Sequence, residues 1–367
     1  MTEPRPETVG FSGSYPPDEV TFLLKDLSGL MAESPLDERE RAMQGGGHYS
    51  ERLPVEYRPS ARYTELFHSS LASGARRIAL LAAIAAERIL RARGSDIVLV
   101  SLARAGTPVG ILVRRYLSAR LALDVPHYSV SIIRGRGIDE NAIRFIRDGH
   151  PGLELQFIDG WSGKGAIQRE LTAACTRLGL DDRMAVLADP GNCAALFGTR
   201  DDVLVPSACL NATVSGLVSR TVLNHLIGPD DFHGAKFYAE LKPEDLSLLF
   251  VDTVCRHFDD VAVAAAAEAR RLDAEAAPPS WAGWAAVRRI ALLHGIVDEN
   301  LVKPGVGEAT RVLLRRQPWK VLVHPDRSDE LEHVRVLATD RGVPLEPYAD
   351  MTYSCCGVVT PLGQSEG

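Results

Sequence analysis

Beyond Ala75 the chain alternates Ala/Leu/Ile-rich segments with short β-branched runs, and no other feature restricts its fold as much. Arg77 to Arg93 reads as a helix closed by Gly94, a residue without Cβ that tolerates a left-handed cap. Asp96 to Leu102 (DIVLVSL) follows as a buried strand, because it is short, β-branched and bounded by turn residues. The grammar then repeats: a helix at about Thr107 to Arg120, strands at Tyr128 to Ile133 and Leu153 to Ile158, a helix from Ala166 to Leu178, a strand at Met184 to Ala188 and a helix from Val214 to Leu226. Strands joined through helices require right-handed crossovers, so the expected fold class is α/β, with a mainly parallel sheet and flanking helices.

With 367 residues the chain is long enough for about two domains of roughly 150 residues each. An alanine-rich helical stretch beyond Val261 gives way to Ala276-Ala277-Pro278-Pro279, which reads as a linker. The remainder has its own α/β pattern: a helix over Trp284 to Leu293, a strand at Lys320 to Val323, a helix over Asp329 to Asp340 and a strand near Val343 to Pro347. The first residues mix Pro16-Pro17, Gly45-Gly46-Gly47 and Pro54 with short apolar runs. The expected division is an irregular extension over 1–60, an α/β domain over 61–275, a linker over 276–284 and a small α/β domain over 285–367.

Several classes of protein drop out. The longest apolar run, Ile78 to Ala86, falls short of the roughly 20 residues that span a bilayer and is followed by Glu87 and Arg88. The N-terminus lacks the charged-then-apolar signal pattern, so a cytoplasmic location is expected. Cys175, Cys193, Cys209, Cys255, Cys355 and Cys356 form no C-x-x-C pair and have no regular histidine spacing beside them. That argues against a disulfide framework and a zinc ribbon, and Cys355-Cys356 reads as a buried strand end. The net charge of −7 gives no overall attraction to nucleic acid, so any RNA contact must be a local patch.

The most informative stretch is LQFIDGWSGKGAIQR, Leu155 to Arg169. An apolar strand ends at Asp159, the tight loop Gly160-Trp161-Ser162-Gly163-Lys164-Gly165 follows, and a helix opens at Ala166. Glycines let backbone amides approach a ligand, a helix N-terminus favours an anion, and Lys164 adds a cation. This is no Walker A loop, since Lys164 is followed by glycine. A second turn, Ala103-Arg104-Ala105-Gly106, ends another strand and leads into the Thr107 helix. Two such turns on one sheet edge suit a ligand with phosphates at both ends.

These segments resemble the core of the type I phosphoribosyltransferases. More closely, the chain resembles the phosphoribosyltransferase-like family of bacterial tellurite-resistance and stress operons, which carries a C-terminal Pelota-type RNA-binding domain and is sometimes labelled cysteine protease StiP. The resemblance rests on SLARAGTPVG, FIDGWSGKGAIQ, VPSACLNATVSGLVSRTV, VDENLVKPG and VLVHP. It implies a type I phosphoribosyltransferase-like sheet in the central domain and a Pelota-like fold in the last one. By the resemblance, Asp159 would hold a ribose hydroxyl, Ser162 to Gly165 the 5-phosphate, and Arg104 to Gly106 pyrophosphate with its magnesium. The implied reaction moves a phosphoribosyl group from phosphoribosyl diphosphate to a base or an RNA-linked acceptor. The family's usual second acid before the loop is replaced here by Gly160.

Around that core, Arg134-Gly135-Arg136-Gly137-Ile138-Asp139-Glu140 reads as a mobile lid whose Arg134 and Arg136 could reach a leaving group, or as a solvated loop. Ser207, Asn211, Thr213 and Ser215 read as an acceptor-binding rim. In the last domain Arg311, Arg315, Arg316 and Lys320, with Trp319, form a basic cluster that could meet RNA or serve as a solvated helix face. From Arg288 onward the chain has ten Lys/Arg against eleven Asp/Glu, so that domain is not basic overall. Two alternatives stay open: a ligand sensor coupled to RNA without turnover, and a cysteine protease using Cys209 at a helix N-terminus with His225, His233 or His257.

Overall fold

The computed structural model describes the chain except residues 1–10, 36–47, 57, 276, 328–330 and 361–367, and the Arg315 side chain. The glycine run 45–47, Ala276 of the linker and the expected helix start at Asp329 lie outside the described residues. Its centre is a seven-stranded sheet. In spatial order it runs β1 (Thr21–Leu23), β3 (His127–Ile133), β2 (Ile97–Ala103), β4 (Glu154–Trp161), β5 (Ala185–Ala188) and β6 (Leu196–Thr199), all parallel. The short segment Gly137–Ile138 folds back antiparallel on β3 as the seventh strand.

Side chains that alternate along these strands fill two cores. Ile97 and Leu99 pack beneath α1 (Ala61–Arg93), α2 (Gly106–Leu121) and α6 (Phe258–Ala274). Val98, Val100 and Leu102 face α3 (Glu140–Gly149) and α4 (Ala166–Leu178) on the other side. The expected mainly parallel α/β architecture is present, and α4 keeps its expected bounds. A further helix, α5 (Ser247–Cys255), flanks the first core.

Three expectations change. The extension before residue 60 supplies an edge strand, β1, rather than a wrapping alone. The strand expected to stop at Ile158 runs on to Trp161, so Asp159 and Gly160 lie within β4. No helix forms over Val214 to Leu226. That run carries Gly216 and Leu217 at positive φ, and its backbone bonds are non-local: Ser219 N–H donates to Lys236 O and Val222 exchanges bonds with Gly234. Apart from Arg220, residues 214–222 are buried with no one-sided apolar stripe, so the long-range bridges win.

The C-terminal unit is built on α7 (Ala282–Leu293), β7 (Val302–Pro304), α8 (Val306–Arg315), β8 (Pro318–Val323), α9 (Glu332–Asp340), β9 (Leu345–Pro347) and β10 (Cys355–Val359). Its sheet runs β7-β10-β8-β9, with only β8 and β9 parallel. Cys355 and Cys356 open β10 fully buried, as a strand end. No described helix is long and apolar enough to cross a membrane.

Candidate functional site

After β2 the chain crosses to β3 on one side, and β4 then joins β2 on the other. The carboxyl ends of β2 and β4 therefore flank a switch point, where open α/β sheets leave a crevice. Here a cleft of about 980 Å³ opens, walled on its far side by the C-terminal unit. Ala103, Arg104 and Ala105 line it from the end of β2 and its turn, and Asp159, Trp161, Ser162, Gly163, Lys164 and Gly165 from β4 and its turn. Ser207, Asn211, Thr213 and Ser215 line it from the irregular segment before α5, and Arg134 from the turn after β3. Gly106 and Gly160 are not among the lining residues. Gly106 serves packing, because a Cβ there would stand 2.4 Å from Ile158 O.

The turn after β4 does not behave as an open phosphate cradle. A Cβ on Gly165, at φ +77°, would lie 2.5 Å from the Trp281 ring, and one on Gly191 would lie 1.9 Å from Gly163 O. Tyr353 OH donates to Gly163 O at 3.3 Å, and Lys164 Nζ donates to Glu299 O at 2.8 Å and Asn300 Oδ1 at 3.0 Å. At Gly165 glycine lets Trp281 of the C-terminal unit dock closely, and Gly191 lets the loop after β5 lie against the turn. Burial pushes the Lys164 ammonium down to about 8, helped by the nearby cations Lys303 and Arg134. Burial likewise pushes Asp159 up to about 7, against the Gly160 N–H that donates to its Oδ1 at 2.8 Å and the charge of Arg311.

The expected lid is pinned. Arg134 N–H donates to Tyr49 OH and Gly135 N–H to Glu170 Oε1, while Asp139 caps α3 through Ala142 N–H. Arg136 pairs with Glu51 at 2.8 Å and is not a lining residue. Of the basic cluster in the C-terminal unit, Arg311 and Arg316 line the cleft. Arg311 lies over the Trp161 ring, 4.9 Å from its centre, and donates to Ala208 O. Lys320 pairs instead with Glu346 at 2.8 Å.

Reading the sequence for strand-end acids missed a second one, Asp189, in ADPGNC after β5; its acid, proline and glycine were the available signal. Asp189 is fully buried and accepts from Ser162 Oγ, Arg200, Cys193 N–H and Ala194 N–H. This pins Cys193, with its Sγ 3.6 Å from Asp189 Oδ1. Of the six cysteines, Cys193 alone lines the cleft. Burial pushes its thiol up to about 11; the Ser162 hydroxyl and Arg169 oppose that rise, and the charge of Asp159 adds to it. Cys209 is fully buried in the turn Pro206–Cys209. Of the histidines considered for it, His233 Nδ1 meets Ser131 Oγ at 2.8 Å, His257 faces Asp260 and His225 is exposed, and none of the three lines the cleft.

The family described as "Tellurite-like stress resistance cysteine protease StiP" matches residues 13–255. The chain belongs to the StiP family. The "PELOTA RNA binding domain" matches residues 281–361. A "Cysteine protease StiP" from Acinetobacter baylyi is 33% identical to this StiP-family chain over 387 residues, covering 97% of this chain and 96% of its own length. A solved structure described as a hypothetical protein from Neisseria gonorrhoeae with bound ppGpp is 14% identical, over 39% of this chain and 74% of its own, at a TM-score of 0.23, too low to establish a common fold. The expected phosphoribosyl transfer is thereby corrected: the family and the relative are named as a cysteine protease, a hydrolase, which conflicts with phosphoribosyl diphosphate and magnesium as the chemistry of the cleft. Of the glycines that suggested a cradle, Gly165 is accounted for by docking against Trp281 and Gly106 by packing on Ile158, while a Cβ at Gly160 or Gly163 would make only ordinary contacts.

Proposed function

We propose that this StiP-family chain is a thiol-dependent peptidase working in the cleft between its two sheets, with Cys193 as nucleophile, and that its C-terminal unit binds RNA. The observation that carries the first half is that Cys193 is the one cysteine lining the cleft. It stands beside the hydroxyl of Ser162 and the carboxylate of Asp189, on a wall shared with Asp159. The second half follows from the Pelota-type match over residues 281–361.

In the proposed reaction the Cys193 sulfur attacks the scissile carbonyl carbon as its proton leaves for a base. The tetrahedral oxyanion collapses, the amine departs with a proton, and water hydrolyses the thioester. A thiol near 11 is protonated at neutral pH, so a base is required. No histidine lines the cleft among the described residues. Asp159, held near 7 by burial, has the proton affinity for that task.

The test uses purified full chain with fluorescently labelled casein. Iodoacetamide should abolish hydrolysis with the label mapped by mass to Cys193, and Cys193→Ser should lower the rate at least about a thousandfold while Cys209→Ser does not. Undiminished hydrolysis by Cys193→Ser would dismiss this nucleophile.

A further inference from the structure

The chain carries a net charge of −7, yet among the described residues the cleft is lined by nine Lys/Arg side chains against three Asp/Glu. Four of those cations, Arg134 and Lys164 from the sheet side and Lys303 and Arg316 from the C-terminal unit, form one electrostatic neighbourhood. Lys303 and Arg134 act on Lys164, opposed by Glu299 and Asp298; on Lys303, beyond burial, the charge of Glu308 acts first, opposed by Arg134 and Arg316. Lys303, on β7, is half-buried, and its ammonium makes no hydrogen bond or ion pair with a described residue. Glu308 pairs with Arg311 at 3.1 Å and is, among the described residues, the one carboxylate shared between that guanidinium and the Lys303 ammonium, so three cleft cations, Arg134, Lys303 and Arg316, have little negative charge to balance them. Like charges brought together at low dielectric repel strongly unless an anion joins them.

A second, independent sign comes from the irregular segment before α5. Ser207 Oγ and Thr213 Oγ1 are buried side-chain atoms without a hydrogen-bond partner among the described residues, and both residues line the cleft. Buried hydroxyls left unpaired call for a polar ligand. The cations also show which face of the Pelota-type unit is available: Lys303, Arg311 and Arg316 turn to the cleft, whereas Lys320 is neutralised by Glu346.

We propose that single-stranded RNA lies in the cleft itself, its phosphates held across the seam by Arg134, Lys303 and Arg316, so that RNA and the Cys193 thiol compete for one chamber. This rests on the RNA half of the reading above, not on the peptidase half. Positively charged grooves that track the backbone are the usual means of holding single strands, and they make binding fall steeply with salt.

The test titrates the full chain with a fluorescein-labelled 12-nucleotide oligouridylate, read by anisotropy at several salt concentrations. Lys303→Ala with Arg316→Ala should weaken binding at least tenfold and flatten the log–log salt slope by about 1.4, whereas Lys320→Ala should leave both unchanged. Unaltered melting of the double variant, and rescue by Lys303→Arg with Arg316→Lys, separate lost charge from lost fold. Saturating oligouridylate should slow iodoacetamide labelling of Cys193, read by mass, at least tenfold, and 10 mM inorganic phosphate should not. RNA binding that ignores the double variant overturns the cleft location while leaving the RNA reading intact. Absence of RNA binding overturns both. Equal protection by phosphate alone would make this a small-anion site and overturn the proposal. Labelling is read by mass, so these outcomes hold whether or not the chain hydrolyses casein.

Discussion

Cys193 is held by two features that oppose each other. Asp189 fixes its backbone, while burial keeps its thiol protonated up to about 11. A thiolate stored as an ion pair with an imidazolium would react at a rate that levels off near neutral pH. Cys193 should instead be alkylated about tenfold faster for each pH unit from 7 to 10, followed by iodoacetamide labelling and peptide mass mapping. A plateau near pH 8 would mean that a cationic partner reaches the thiol. This residue was hard to find in sequence. Six scattered cysteines look alike until the fold brings one beside the ends of β4 and β5, and Cys209 drew attention only because a helix was expected there.

At the scale of elements, the turn between β4 and α4 was legible as a glycine-dependent strand-to-helix junction. Its purpose was not, because Trp281, Tyr353 and Asn300 approach it from more than a hundred residues away. Gly165→Ala should cost about 1–3 kcal/mol, since a Cβ there requires positive φ and meets the Trp281 ring, and calorimetry should show a melting point several degrees lower. Gly160→Ala should change stability by less than about 0.5 kcal/mol, because its Cβ would meet only Ala105 O at 3.5 Å, an ordinary contact. Equal losses at the two positions would contradict docking as the reason for glycine at 165. The failed helix over Val214 to Leu226 belongs to the same scale. Local periodicity cannot reveal that Val222 finds its backbone partners at Gly234.

For the whole molecule the decisive joint is Asp202. This buried carboxylate follows β6, yet it accepts Val306 N–H at 2.9 Å and Ser354 N–H at 2.9 Å, capping α8 of the C-terminal unit. Burial pushes it up to about 6, above the ordinary value of 3.8, despite those donors. The folded chain therefore holds this proton where the unfolded chain has released it. The stabilisation is fully present below about pH 4 and is lost as pH rises to about 6, by at most about 3 kcal/mol. Asp202→Asn, which cannot titrate, should flatten the melting temperature between pH 4 and 6 relative to the native chain. Asp202→Ala leaves the α8 amides uncapped and should speed chymotrypsin cleavage near Trp281. Identical pH profiles for the native chain and the Asn variant would remove Asp202 from this role.

The amino-acid sequence by itself determined the α/β alternation, the parallel sheet and the two strand-end turns, because these follow from local periodicity and from residues that permit or forbid backbone conformations. It also held the motifs by which the family is recognised. Only the tertiary structure decided that the C-terminal unit closes over the turn after β4, that Arg311 and Arg316 face inward, and that Cys193 is the thiol of the cleft. Those facts depend on contacts between segments far apart in the chain, where burial and charge are set by neighbours that no local pattern encodes.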